Sequence, residues 1–413
     1  MKRIVVILLS LALLSLLAPS LVSCGKGGET VTLYVYNWGE YISDGTEGTL
    51  DVNAAFEEWY ENTFGVRVKV NYSTYSSNED MYAKISSGAS NYDIVIPSDY
   101  MIARMISEGL LRELNFENIP NAGYIDLSAM FGNGTPYYDP DCAYSVPYTY
   151  GTVGIIYNKT LVDEADLGSW DLMWNEKYSG NILQFNNSRD AFATALFKLG
   201  YSVNTADEAQ WREALALLMT QKPVVQGYVM DEIFNKMENG SAAIAPYYAG
   251  DFFTMYADNE DLAFFYPREG TNVFVDAMCI PASSSNPEIA ERYIDFMLSK
   301  EAAIANAEYI CYASPNRLVT EDAGYRATME ELHPDAMEIL YGTEGVKMEF
   351  YENLPEERLM LLNSLWEDLK IESPINTSII VMAGVILGGC VGAGIFFAVR
   401  SRKRRRIVAD LWK

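Results

Sequence analysis

Between residues 31 and 108, short apolar runs alternate with amphipathic stretches. Val31–Tyr36 reads as a strand. Asp51–Asn62 reads as a helix, with Val52, Ala55, Phe56 and Trp59 on one face and Gly65 past its end. Val66–Tyr72 is a second predicted strand. Asn78–Ser87 is a second helix, with Glu79 and Asp80 in its first turn and Gly88 after its end. Asp93–Pro97 is a third strand, and Ser98 is placed to cap a helix that runs to Glu108. This β-α-β-α-β-α order predicts an α/β domain with a largely parallel sheet.

The pattern resumes after the middle of the chain. Asn181–Phe185 is a short strand, followed by helices at Ser188–Leu199, Asp207–Thr220 and Asp231–Glu238. Ala242–Ala245 reads as a strand and Asn272–Ile280 as an extended segment ending at Pro281. Asn286-Pro287 opens a helix reaching Lys300, and Pro355–Lys370 is the last helix before the C-terminal region. The sequence has no internal repeat. Two α/β lobes are predicted, with chain crossings near Tyr144–Gly151 and Val273–Ala277.

The ends of the chain have a different pattern. Lys2 and Arg3 precede an apolar run from Ile4 to Leu17, the layout of a secretory signal peptide over residues 1–23. The run closes with Leu21-Val22-Ser23-Cys24-Gly25, which resembles the lipobox of bacterial lipoproteins. That resemblance implies cleavage before Cys24, a lipid on its thiol and a linker over 24–30. At the other end, residues 379–399 carry no charge over 21 positions, long enough to span about 30 Å of hydrocarbon. Residues 372–378 form the linker to this span. The basic tail 400–413, rich in Arg402, Lys403, Arg404, Arg405 and Arg406, places the C-terminus in the cytoplasm by the positive-inside rule. Gly384, Gly388 and Gly392 are spaced by four, a small-residue face suited to close helix packing.

Charge and composition then remove whole classes of function. The chain has 413 residues and a net charge of −26. Without residues 1–23 and 400–413 it keeps 21 basic residues against 55 acidic ones, about −34. Such a surface favours cationic solutes and repels nucleic acid. The single histidine, His333, excludes a His-cluster metal site and leaves no Ser/His/Asp triad motif. No Cys-x-x-Cys pair and no glycine-rich phosphate loop is present, so no cofactor or metal is expected. Cys142, Cys279 and Cys311 cannot make a complete disulfide framework, so the fold must rest on its core.

Ligands of open α/β sheets bind beyond the carboxyl ends of the strands. The residues just past the predicted strands are Asn37 to Tyr41, then Ser98, Asp99 and Tyr100, then Asn186 to Asp190, then Pro246, Tyr247 and Tyr248. The extended segment adds Phe274 and Asp276. Aromatic residues and carboxylates dominate, and Arg189 is the single basic member. An ammonium leaving water needs a carboxylate partner. Aromatic faces attract the same cation by about 0.5–2 kcal/mol each, and they cover aliphatic spacers at about 0.8 kcal/mol per CH₂. A flexible diamine or triamine uses all three.

At this point the sequence resembles a known family. Asn37-Trp38-Gly39-Glu40-Tyr41 is similar to the opening motif of bacterial spermidine/putrescine-binding proteins, the solute receptors of polyamine ABC transporters. Tyr72-Ser73-Thr74-Tyr75 running into Asn78–Lys84 continues the series, as do Tyr92–Ser98, Tyr144–Tyr148, Phe274-Val275-Asp276 and Tyr312–Asn316. The resemblance implies a two-lobed, periplasmic-binding-protein-like (type II) α/β fold with the ligand in an interlobe cleft, here with one C-terminal transmembrane helix added. It implies a first lobe of 31–148 with 275–322 and a second of 149–274 with 323–371. The implied ligand residues are Trp38, Glu40, Tyr41, Ser98, Tyr100, Asp276 and Tyr312 in the first. In the second they are Asn187, Asp190, Tyr247, Phe274 and Glu352. Asn187 departs from the aspartate of many members, so putrescine and spermidine both stay open.

The implied partners are a polyamine, the permease subunits of the transporter and the membrane, with the bulk of the chain extracytoplasmic. Two rival readings fit the same residues. A ferric-ion receptor of the same architecture would use the Tyr247-Tyr248 pair. A secreted glycosidase would use two carboxylates in an aromatic cleft, although no catalytic motif is present.

Overall fold

The structure is a computed structural model that describes residues 30–88, 91–131 and 134–371. The predicted signal segment 1–23, Cys24, the apolar run 379–399 with Gly384, Gly388 and Gly392, and the basic tail 400–413 lie outside the described residues. Among the described residues, no helix is long and apolar enough to cross a membrane. The strands are β1 (Val31–Trp38), β2 (Val68–Tyr75), β3 (Ile94–Val95), β4 (Ser145–Asn158), β5 (Ile182–Phe185), β6 (Val225–Val229), β7 (Ile244–Tyr248), β8 (Leu262–Phe265), β9 (Thr271–Cys279) and β10 (Met348–Phe350). The chain divides into two compact units. Among the described residues, the first holds those up to Tyr150 together with Val275–Met329, and the second holds Gly151–Phe274 together with those from Glu330 onward.

In the first unit β1 lies between β2 and β3 and pairs in parallel with both. β3 then meets the end of β9 in antiparallel register through Val95 and Cys279. Leu33, Val35, Ile94 and Val95 are fully buried, as expected of a parallel sheet covered on both faces. The helix Val52–Phe64 follows β1. Asp51 is its cap and not its first turn, accepting from the Ala54 amide at 2.9 Å, and Gly65 ends it at φ 70°, a left-handed conformation suited to glycine. The helix buries Phe56, whose ring meets Tyr293 edge-on at 4.9 Å. Removing that ring (Phe56→Ala) costs about 3–5 kcal/mol.

The helix expected to reach Lys300 stops at Met297, and a helix that the sequence reading did not predict, Lys300–Ile310, starts after Ser299 adopts an extended backbone. No Gly or Pro marks this break, so the apolar periodicity runs through it.

In the second unit β4 pairs antiparallel with β7 and β8, and β5 pairs in parallel with β6 and β7. β10 runs parallel to the start of β9. A Cβ at Gly154 in β4 would sit 2.1 Å from the Phe264 ring, so a larger residue there requires that ring to move. The helix Ser188–Leu199 is buried from Arg189 to Phe197 and ends at Gly200 with φ 77°. Its Phe192 and Leu196 pack with Trp211 and with Leu362, Leu365 and Leu369 of the last helix, Glu356–Ile371. The helix Ala249–Asp258, which begins directly at the end of β7, was not legible in the sequence pattern.

Candidate functional site

Each unit gathers a buried carboxylate within a set of neutral hydroxyl and amide donors. In the first unit β1 ends at Trp38. The Trp38 indole N–H and the Tyr75 hydroxyl both donate to the Ile96 carbonyl, at 2.9 and 2.6 Å. The two rings lie 4.6 Å apart, which holds Trp38 half-buried at the strand end. Glu40 follows with φ 50°, exposed, and its carboxylate accepts from the Tyr309 hydroxyl at 3.4 Å. The chain then turns Tyr41 inward, where it is buried and meets Tyr148 and Tyr312 edge-on.

Asp276 of β9 is the centre of this set, at 3% exposure. Ser98 donates to Asp276 Oδ1 at 2.7 Å and Tyr41 donates to Oδ2 at 2.7 Å. Tyr41 has one proton, so at its 2.6 Å contact with Thr149 it accepts and Thr149 donates. On the other side Asn78 donates to Ser98 Oγ at 3.0 Å and to the Tyr100 hydroxyl at 3.2 Å. Ser98 and Tyr41 thus donate to the carboxylate directly, and Asn78 and Thr149 donate to the Ser98 and Tyr41 hydroxyls. Burial pushes the Asp276 carboxyl up to about 6, while the bonds from Ser98 and Tyr41 hold it down. Burial and then the Asp276 charge raise the Tyr41 phenol well above its ordinary value.

In the second unit the carboxylate is Asp190, in the first turn of the helix Ser188–Leu199 and 7% exposed. Asn187 caps this helix by accepting from the Asp190 amide at 2.8 Å, and its own NH₂ donates to Asp190 Oδ2 at 2.6 Å. The Tyr248 hydroxyl donates to Oδ2 at 2.7 Å and the Tyr351 hydroxyl to Oδ1 at 2.8 Å. Phe274 meets Tyr248 edge-on at 5.4 Å. The Arg189 guanidinium lies over the Tyr351 ring at 4.4 Å. Among the described residues no lysine or arginine forms an ion pair with Asp276 or Asp190.

The structure therefore brings Tyr41, Ser98, Asp276 and Tyr312 into direct contact, and Trp38 and Tyr100 join them through Ile96 and Asn78. It also brings Asn187 and Asp190 together, with Phe274 beyond Tyr248. Two expected positions are placed differently. Tyr247 is 3% exposed and stacks on Phe185 at 5.6 Å, with the Tyr248 ring beside it at 4.8 Å; Tyr248 is the tyrosine whose hydroxyl reaches the carboxylate. Glu352 is exposed and engages through its backbone, its amide donating to Asn204 and its carbonyl accepting from Arg189. Sequence reasoning passed over Asn78, Thr149 and Tyr351. Tyr351 stands beside Glu352 but lies 161 positions from Asp190, and no spacing rule links them.

A two-lobed α/β receptor is the class that this fold and these carboxylate sets define. The chain belongs to the family of bacterial extracellular solute-binding proteins, matched over residues 53–330. It is 31% identical over 351 residues to the spermidine/putrescine-binding periplasmic protein of Escherichia coli, covering 81% of this chain and 95% of that one. It is 29% identical over 376 residues to the putrescine/cadaverine-binding protein of Pseudomonas aeruginosa, covering 87% and 99%. Among solved structures, a putative spermidine/putrescine ABC transporter protein from Listeria monocytogenes superposes with a TM-score of 0.71 at 33% identity, over 82% of this chain and 98% of that one. A spermidine/putrescine ABC transporter substrate-binding protein from Streptococcus pneumoniae gives 0.66 at 32% identity, over 83% and 99%.

Proposed function

We propose that this chain is the extracytoplasmic receptor of a polyamine ABC transporter, capturing putrescine, spermidine or both and delivering them to the permease without chemical change. The observation that carries this reading is the pair of buried carboxylates, Asp276 and Asp190. Each is held by neutral donors and has no lysine or arginine partner among the described residues. A buried anion without a counter-charge is costly by several kcal/mol, and a ligand ammonium supplies the missing charge. Each unit's set suits one ammonium, and the aromatic residues beside it suit both the cation and the methylene spacer. Polyamines are the solutes that carry more than one ammonium on such a spacer. The names of the relatives agree with this class.

The ferric reading needs phenolates, and burial holds the Tyr247 and Tyr248 phenols well above their ordinary value, with Tyr248 donating its proton to Asp190. Export through residues 1–23, lipidation at Cys24 and a span at 379–399 complete the proposal and rest on the sequence alone. The lobe boundaries drawn from the resemblance, and Glu40 and Glu352 as ligand contacts, have the same standing; in the position expected for Tyr247 the proposal takes Tyr248. Calorimetry of the full-length protein with putrescine, cadaverine, spermidine, spermine and 1,4-butanediol tests the reading. Binding of one or more amines, lost in Asp276→Asn and weakened in Asp190→Asn, supports it. Equal response to the diol removes it.

A further inference from the structure

Directly behind Asp276 lies a second carboxyl that the binding scheme above does not use. Asp99 is 0% exposed and is the first residue of the helix after Ser98. Its Oδ1 accepts from the Tyr100 amide at 2.7 Å. Its Oδ2 accepts from the amide of Val275, the residue before Asp276 in β9, at 3.3 Å. Ser98 and Asp276 are themselves paired as an isolated antiparallel bridge. The two acids are therefore fixed on adjoining backbone, with no solvent access for Asp99 and 3% exposure for Asp276. The titratable groups that face Asp99 are Asp276 from β9 and the phenols of Tyr137 and Tyr138 from the segment before β4. None of them is a cation.

We propose that Asp99 is a concealed acid of the ligand site: it keeps its proton while Asp276 faces no cation and releases it when an ammonium settles on Asp276, so that cation capture is coupled to proton release. This inference rests on the receptor reading above. Two acids buried together resist double ionisation, so one of them stays neutral until a positive charge arrives. The helix N-terminus, two amide donors and the Tyr137 hydroxyl favour the Asp99 anion. Full burial opposes them and outweighs them, pushing Asp99 up to about 8, with the Asp276 charge adding to the effect. An incoming ammonium cancels that repulsion and lowers the affinity of Asp99 for its proton. One positive charge enters, one proton leaves to solvent, and the buried site keeps its balance.

The test is calorimetry of the full-length protein with putrescine at pH 7.5 and pH 6, each in two buffers of different protonation enthalpy. At pH 7.5 both putrescine amines hold their protons. His333, which burial keeps below its ordinary value, is neutral there. The expected result is release of roughly three-quarters of a proton per ligand at pH 7.5, the fraction that Asp99 holds there. In Asp99→Asn that release falls to near zero while putrescine still binds. Release in the wild type confined to pH 6, where Asp276 titrates, overturns the proposal without any variant, which covers an Asp99→Asn chain that does not fold. Equal release at pH 7.5 in wild type and Asp99→Asn also overturns it. Binding without release overturns the coupling alone. Failure to bind any polyamine overturns the receptor reading and the coupling with it.

Discussion

Ser98 stands at the N-terminal cap of the helix Asp99–Ser107, yet it makes no cap bond and gives its hydroxyl proton to Asp276 Oδ1 at 2.7 Å. The sequence predicts a helix cap at this position. The structure assigns the same hydroxyl to a carboxylate 178 positions away. Its amide is held by Asn78, which accepts from it at 3.1 Å and fixes the turn.

Ser98→Ala therefore separates two roles. A hydrogen bond to a charged group contributes about 1.5–3 kcal/mol, so putrescine affinity is expected to fall by about 10- to 100-fold. The melting temperature is expected to fall modestly, because the bond to Asp276 is present without ligand, while no helix cap is lost. Calorimetry reads the first effect and the thermal melt the second. Unchanged affinity with a lowered melting temperature would return Ser98 to a purely structural role.

The pH profile follows from the two buried acids. Asp276 sits at about 6 and Asp99 at about 8, against an ordinary 3.8. A raised carboxyl means that the folded state binds more protons than the unfolded chain between its two pKa values. Stability from Asp276 is therefore lost as pH rises from about 4 to about 6, and from Asp99 as it rises toward about 8. A shift of the size seen at Asp276 is on the order of 3 kcal/mol. Carboxyls held below their ordinary range, such as Asp322 and Glu108, act in the opposite sense and at lower pH. The ligand-free melting temperature should fall between pH 5 and pH 8, and Asp276→Asn should flatten the lower part of that fall. Polyamine affinity should rise over the same interval. An affinity that weakens as pH rises would contradict the role given to Asp276.

Tyr247 and Tyr248 give a test within two adjacent residues. Tyr248→Phe removes one donor from Asp190 and is expected to weaken polyamine binding by about tenfold. Tyr351→Phe should do the same from the other carboxylate oxygen. Tyr247→Phe should leave affinity within about twofold, because its ring packs on Phe185 and the substitution keeps that ring. The reverse order of effects would show that the family's aromatic position falls on Tyr247.

Much of this site was legible because strand ends are. β1 and β3 carry clear apolar runs, and the residues just past them, Tyr41 and Ser98, reach the carboxylate. Asp276 was legible as an acid between apolar neighbours. What stayed hidden depends on contacts between distant parts of the chain. Thr149 orients Tyr41 across 108 positions, and Tyr351 reaches Asp190 across 161. In β7, the choice between Tyr247 and Tyr248 depends on the register with β4, which two consecutive tyrosines do not encode. The helix Ala249–Asp258 escaped for a local reason. Gly250 in its first turn lowers its helix propensity, and burial of Phe252 and Phe253 secures it instead.

Asn187 offers the sharpest test of ligand choice. Its side chain both caps a helix and donates to Asp190 Oδ2 at 2.6 Å. Asn187→Asp keeps the oxygen that accepts the Asp190 amide, so the cap survives. It replaces the NH₂ with an anionic oxygen facing another carboxylate, and the two repel unless a cation or a proton lies between them. The variant should lose about 1–2 kcal/mol of ligand-free stability at pH 8 and recover it at pH 5. An additional ammonium should relieve the same repulsion, so the melting temperature should rise more with spermidine than with putrescine, reversing or widening the wild-type preference. Equal stabilisation by the diamine and the triamine in both proteins would show that no ligand ammonium comes near Asn187, and that the asparagine serves the helix and Asp190 alone.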